Sequence, residues 1–215
     1  MIVEKKETGI GEEVRLIGLT GGIATGKTTV SNYLANAYQL PILDADIYAR
    51  EAVLPETPIL ARIVERFGSE VLLADGSLNR RSLGNIVFNN SEELRWLEKQ
   101  IHPYVRDRLL QEIKIGISGQ NRQSIRPLRI VLAVPLLFEA NMTDLVTEIW
   151  VVYCPRSQQL ERLVERDRIN LDRAQTLINS QMLLVEKCQQ ADVILDNSTT
   201  LESLFRQVDL VIGNW

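Results

Sequence analysis

Residues 21–28 read Gly-Gly-Ile-Ala-Thr-Gly-Lys-Thr, and Gly21, Gly26, Lys27 and Thr28 fall on the fixed positions of the pattern G-x-x-x-x-G-K-[ST]. The chemistry open to such a run is the capture of a polyphosphate. Phosphate oxygens need several backbone N–H donors converging on them, and a Cβ obstructs that approach. The loop Gly21, Gly22, Ile23, Ala24, Thr25, Gly26 supplies those donors and leads straight into a helical pattern, whose N-terminus adds its dipole. Lys27 neutralises the β and γ phosphates of a triphosphate such as ATP, Thr28 offers a hydroxyl to Mg²⁺, and Thr29 continues the first helical turn.

The next candidates are the carboxylates of Asp44 and Asp46. In extended backbone, residues two apart share a face, so both would project at the C-terminal end of a strand, the edge where parallel sheets bind ligands. A carboxylate there can orient an attacking hydroxyl, accept its proton or hold a Mg²⁺-bound water. The competing assignment makes both aspartates helix caps, with Asp46 heading residues 47–53. A third group is the arginine cluster at positions 156, 162, 166, 168 and 173. Arg162 and Arg166 are four apart and share a helix face. They would serve a flap that closes over phosphates, or a solvated surface, since Glu161, Glu165 and Asp167 interleave with them. His102, the one histidine, precedes a proline and reads as a turn or packing residue.

Secondary-structure elements must position these groups. Residues 14–20 form a short apolar run that reads as a buried strand, residues 27–38 carry helical periodicity, and 41–43 is a second strand ending at Asp44. That order is a βαβ unit. Residues 46–113 hold helical patterns and no convincing strand. Ser91 is placed to cap a helix with Glu92 and Glu93 in its first turn, and His102-Pro103 should kink or break it. Residues 116–127 are polar and read as a loop. Strands return at 129–134, 147–153 and 191–195, with helices at 156–167 and 172–187. Asp172 with Gln175, and Thr199 with Glu202, fit capping boxes, the second opening a last helix with the face Leu201, Leu204, Phe205 and Val208. Five buried strands alternating with helices imply a parallel sheet covered on both faces.

The 215 residues carry a net charge of −4 and ordinary globular composition, 45% hydrophobic and 24% charged. An acidic balance opposes broad nucleic-acid binding. Cys154 and Cys188 have neither metal nor disulfide-framework spacing and read as buried thiols of a reducing compartment. No run of 18 apolar residues occurs, and residues 1–13 lack the apolar stretch of a signal peptide. The expectation is a cytoplasmic protein with no membrane partner and a flexible extension at 1–13. Nothing in the sequence sets an oligomeric state.

The chain resembles the dephospho-CoA kinase family from about residue 14 onward. The resemblance rests on I-G-L-T-G-G-I-A-T-G-K-T-T at 17–29, D-A-D-I-Y-A-R at 44–50, D-G-S-L-N-R at 75–80, I-H-P at 101–103, V-P-L-L-F-E at 134–139 and E-R-D-R-I-N-L-D-R-A-Q at 165–175. Ser180-Gln181, Ala191-Asp192 and Asp196-Asn197 add to it. It implies a five-stranded parallel sheet of the P-loop kinase type with helices on both faces, an inserted helical domain and a small helical lid. The divisions would be 14–45 with 128–155 and 188–215 for the nucleotide core, 46–115 for the CoA-binding domain and 156–187 for the lid. It implies ATP and Mg²⁺, with dephospho-CoA as acceptor and coenzyme A as product. It makes Asp46 the general base toward the ribose 3′-hydroxyl, sets Arg162 and Arg166 on the lid, and puts Asn197 near the adenine. Asp44, Arg50 and His102 fall in the acceptor region.

The chain departs from that family's pattern at Ala24-Thr25, where Gly-Ser is usual, and at Leu177, near which an arginine is common. Ala24 must therefore hold a backbone conformation that tolerates a Cβ. The rival assignments are a kinase for nucleosides or their monophosphates, a P-loop protein that binds without turnover, and a nucleotide-dependent switch. The last would need an N-K-x-D motif, which the sequence lacks.

Overall fold

The computed structural model describes residues 14–119 and 128–213. The expected extension at 1–13, and the 120–127 part of the expected loop, lie outside the described residues. Strands β1 (Val14–Gly21), β2 (Ile42–Asp44), β3 (Leu128–Ala133), β4 (Glu148–Tyr153) and β5 (Val193–Asp196) form one sheet in the order β2-β3-β1-β4-β5. Every pairing is parallel, with Leu16 opposite Ile130 and Leu19 opposite Trp150.

Period-two alternation divides the core. Ile17, Leu19, Val131, Trp150 and Val152 point to one face, where α1 (Lys27–Tyr38) and α9 (Leu201–Gly213) cover them with Val30, Leu34, Leu204 and Val208. Leu16, Ile130 and Leu132 point to the other, beneath Tyr48 of α2 (Ala45–Glu51) and Val105, Leu109 and Ile113 of α5 (Ser91–Gly119). Full burial of each large aliphatic side chain contributes about 1.5–3 kcal/mol relative to exposure, so the two layers fix where the strand ends lie.

The helical middle section has its own apolar centre. Helices α3 (Pro58–Phe67) and α4 (Arg80–Val87) bury Ile59, Ile63, Leu83 and Val87 against Ala52, Val53 and Val71, with Leu94, Leu97 and Tyr104 of α5 packed alongside. Helix α5 thus spans both units, its first half on this cluster and its second half on the sheet. The only β-pairing described in this section is a single bridge between Leu72 and Leu78. A smaller cluster, Leu163, Ala174 and Ile178, holds α6 (Arg156–Asp167) to α7 (Leu171–Asn179).

Several local expectations are corrected. Helix α5 runs through Pro103 without ending and continues to Gly119, so Gly116 to Gly119 are helical rather than loop. The expected 172–187 helix is two helices, α7 and α8 (Leu184–Gln189), and between them Met182 N–H bonds to Glu139 rather than along a helix. The caps sit one or two residues away from where the sequence suggested, two of them earlier and one later. Asn90 rather than Ser91 accepts from Glu92 and Glu93, Asn170 rather than Asp172 accepts from Arg173, and Thr200 rather than Thr199 accepts from Ser203. On α9, Leu201 is exposed and Phe205 stacks on Tyr33, leaving Leu204, Val208 and Ile212 as the buried stripe. Cys154 is buried as expected, whereas Cys188 is only half-buried; both are free.

Candidate active site

The C-terminal ends of the strands converge. Gly21 closes β1, Asp44 closes β2, Pro135 follows β3 and Asn197 follows β5. The loop after β1 is open toward phosphate. Gly26 is the N-cap of α1, with no side-chain cap and no acidic residue in the first turn. Thr25 and Thr29 N–H groups are used within the loop, by Gly22 O and Gly26 O. The N–H groups of Ala24, Gly26, Lys27 and Thr28 find no acceptor among the described residues. Unsatisfied donors at a helix start, with the dipole behind them, form an anion site.

The loop is held from below and from the side. Thr25 is fully buried and its hydroxyl donates to Gly22 O (2.9 Å). Asn197 is 5% exposed and its amide donates to Thr25 O (2.8 Å). Gly26 has φ 105°, and a Cβ there would meet the Asn197 amide at 2.3 Å, so glycine is required twice over. Asn197 therefore supports the loop with its side-chain NH₂. From the side of α6 and the connection after α7, Gln181 accepts from Ile23 N–H (2.9 Å) and Gln159 donates to Ile23 O (2.9 Å).

Ala24 adopts φ 61°, the left-handed region, which costs a residue bearing a Cβ about 1–2 kcal/mol. It packs with Ile23 and Leu177 on the α6–α7 cluster. The two positions that depart from the resembled pattern, Ala24 and Leu177, thus share one apolar contact region between the loop and the α6–α7 pair.

The two aspartates separate in role. Asp44 is the N-cap of α2, its carboxylate accepting from Asp46 N–H (2.9 Å). The extended-strand premise is corrected at this point: Asp46 lies in the first turn of α2, so it is not the cap and its carboxylate stays available. Asp46 is exposed at the cavity mouth, yet partial desolvation there pushes its carboxyl above its ordinary value; Lys27 opposes the rise, Asp44 adds to it and Arg50 opposes it. These charges therefore lie close to one another.

Asp46 also lines a cavity of about 270 Å³, largely apolar, with Glu98, His102, Pro135, Phe88 and Gln181 among its walls. His102 is part of α5 rather than a turn. Burial lowers its pKa, partly countered by Glu139, while burial together with Glu139 raises Glu98. Near neutrality the cavity thus presents an uncharged imidazole.

The arginines divide likewise. Arg162 donates to Asn197 O (3.0 Å) and Gln158 Oε1 (3.2 Å) at the rim below the loop. Arg166 is exposed and paired with neighbouring Asp167 (2.7 Å). Arg173 of α7 stacks over the ring of Phe88, a cavity wall residue, at 5.4 Å, which joins α7 to the helical middle section. Gln159 and Lys187 are singled out by no motif in the sequence, and Glu139 and Gln181 appear only within matched segments. Among the described residues no group of three metal-type side chains occurs, and no helix is long and apolar enough to cross a membrane.

A family model described as dephospho-CoA kinase matches residues 15–203. The chain is 59% identical over 199 residues to a dephospho-CoA kinase of Trichormus variabilis, covering 93% of this chain and 97% of that protein. It is 57% identical to one from Nostoc sp., with the same coverage. Among solved structures, the dephospho-CoA kinase of Campylobacter jejuni superposes with a TM-score of 0.64 at 27% identity, over 93% of this chain and 96% of that one. TT1252 from Thermus thermophilus gives 0.73 at 28%, over 94% and 98%. A shikimate kinase from Acinetobacter baumannii, TM-score 0.51 at 16% identity over 94% and 96%, shares the fold.

Proposed function

The chain belongs to the dephospho-CoA kinase family, and from that premise we propose that Asp46, Lys27 and the lid arginines carry an in-line phosphoryl transfer. The reaction moves the γ-phosphoryl group of ATP to the ribose 3′-hydroxyl of dephospho-CoA and yields coenzyme A and ADP. The observation that carries the division of roles is the juxtaposition at Asp46. Its carboxylate lines the apolar cavity and feels the charge of Lys27, whose own place is at the phosphate loop.

ATP lies with its phosphates on the free N–H groups of Ala24, Gly26, Lys27 and Thr28. Lys27 neutralises the β and γ oxygens. Asn197, Gln159 and Gln181 keep the loop in the shape that aims those donors. The acceptor ribose enters the cavity, with Arg50 and His102 flanking it. Asp46 takes the 3′-hydroxyl proton as the oxygen attacks the γ-phosphorus and ADP leaves. A raised carboxyl suits a base that must hold and release a proton. Arg162 and Arg166 close over the transferring group, which requires Arg166 to exchange Asp167 for phosphate.

Mg²⁺ fits the donor set. Thr28 would offer its hydroxyl, and a carboxylate at the end of β2 would hold a metal-bound water, alongside nucleotide phosphates, as suits this hard cation. When bound, it supplies positive charge to the β and γ oxygens. The free thiols of Cys154 and Cys188 suit the reducing cytoplasm.

The test is ADP release by the purified protein with ATP and Mg²⁺, offered dephospho-CoA, AMP, adenosine or uridine. Turnover confined to dephospho-CoA is the expected result. Turnover with a nucleoside or monophosphate instead would overturn the acceptor assignment and leave the nucleotide half intact.

A further inference from the structure

Lys187 is fully buried, an unusual place for an ammonium group. Its Nζ lies 2.8 Å from Glu139 Oε1, 3.0 Å from Pro135 O and 3.4 Å from Gly21 O. All three N–H donors thus have acceptors. The acceptors lie on two segments of the site, Gly21 on one and Pro135 with Glu139 on the other, while Lys187 itself stands on α8. Gly21 ends β1 and opens the phosphate loop. Pro135 follows β3 and lines the acceptor cavity. Glu139 Oε1 also accepts from Met182 N–H (3.0 Å), in the connection between α7 and α8. Thr20 adds a hydroxyl bond to Pro135 O (3.1 Å).

The arrangement is not the cheapest way to fill this space. Glu139 Oε2 is buried with no partner among the described residues. Buried ion pairs commonly cost more in desolvation than they return, and neutral side chains of similar size often replace them without loss of stability. What neutral side chains would not supply is a cation on α8 bonded at once to the phosphate loop and to the segment that walls the cavity, with Glu139 passing the link on to Met182. The charge of Glu139 also reaches His102 and Glu98 across the cavity wall.

We propose that Lys187 and Glu139 are a positioning pair that fixes the phosphate loop relative to the acceptor cavity, so that the γ-phosphoryl group and the acceptor hydroxyl meet in line. The inference rests on the transfer reaction described above. Neither side chain is assigned a contact with substrate. Each half-site would form without the pair, but their mutual placement would not. The expected signature is therefore a fall in kcat with little change in KM, since a misplacement of about 1 Å costs roughly 10²-fold in rate.

The experiment compares the full chain with Lys187→Met, Glu139→Gln and the double variant. Lys187→Met alone strands a buried carboxylate and should melt well below the parent. The double variant removes both charges and should recover to within about 3 °C of the parent. Its kcat should stay about 10²-fold down, with KM for ATP and for dephospho-CoA within about threefold of the parent. A double variant of parental melting temperature and kcat within about threefold of the parent overturns the proposal and leaves an ordinary structural ion pair. A rise in KM that accounts for the whole loss overturns it too, by indicating direct binding. Should the double variant not fold, Glu139→Gln decides. A kcat about tenfold down at unchanged KM supports positioning, and a parental kcat refutes it. Parent activity with dephospho-CoA is measured alongside, so a wrong acceptor assignment shows as an inactive parent rather than as an altered ratio.

Discussion

Replacing Asp46 by Asn removes a proton acceptor and little else. The α2 cap uses the backbone N–H of residue 46, donated to Asp44, so the helix start is unaffected. The amide keeps the shape of the carboxylate at the cavity mouth. General-base catalysis contributes about 10²–10⁴-fold, or about 2.7–5.4 kcal/mol at 1.36 kcal/mol per tenfold. Asp46→Asn should lose kcat by that amount in a coupled ADP-release assay while KM for ATP stays parental or falls. The pH profile gives a second readout. Partial desolvation holds the Asp46 carboxyl above its ordinary 3.8, so the parent's acid limb should lie above that value and vanish in the variant. Stability moves the other way. Between the unfolded and the raised folded pKa, the folded chain binds more protons, so stability falls as pH rises through that window. At neutral pH the Asp46 charge therefore costs stability, and Asp46→Asn should melt at or above the parent temperature. Turnover within about threefold of the parent, with the acid limb unchanged, would refute the assignment of the base.

Lys27→Ala removes a charge that acts on bound and reacting phosphates alike. ATP affinity should drop about ten- to hundredfold, since a charge-assisted hydrogen bond is worth roughly 1.5–3 kcal/mol, and kcat should fall as well; calorimetric titration showing parental affinity would contradict this. Asn197→Ala leaves Thr25 O without its donor beneath the loop. It should cost about 1–3 kcal/mol in chemical denaturation and weaken nucleotide binding, and unchanged binding would show that the loop does not need this support. Arg166→Ala breaks an exposed pair worth about 0–1 kcal/mol, so melting should not move. Its turnover should nonetheless fall about 10²-fold if the side chain stabilises transferring charge, and parental turnover would return the arginines to a solvated surface.

Much of this site was readable because its signals are local. A fixed-spacing glycine loop between an apolar run and a helical period places Lys27 and Thr28, and α1 and α6 keep the bounds that periodicity suggested. The caps were misplaced where cap-competent residues run together, as in Asn89-Asn90-Ser91 or Ser198-Thr199-Thr200. Each such run offers several side-chain acceptors, and the buried stripe of the following helix selects among them. For α9 that stripe is Leu204, Val208 and Ile212. Asp46 does stand at the end of β2 beside a cavity, but the shared-face argument for it fails, because the turn into α2 begins one residue after β2 ends. The expected 172–187 helix is interrupted where Gln181 and Met182 are committed to Ile23 and Glu139. Such long-range bonds leave no local periodicity. Lys187 was invisible for the same reason, and because lysine is so rarely buried that its position suggests surface.

The central claim is that this chain phosphorylates one hydroxyl of one acceptor. The most direct measurement is the structure of the product formed from ATP and dephospho-CoA, read by ³¹P and ¹H nuclear magnetic resonance. The account predicts one new phosphate monoester, coupled to the ribose 3′ proton and matching coenzyme A. A 2′-phosphate, or inorganic phosphate with the acceptor unchanged, would contradict it.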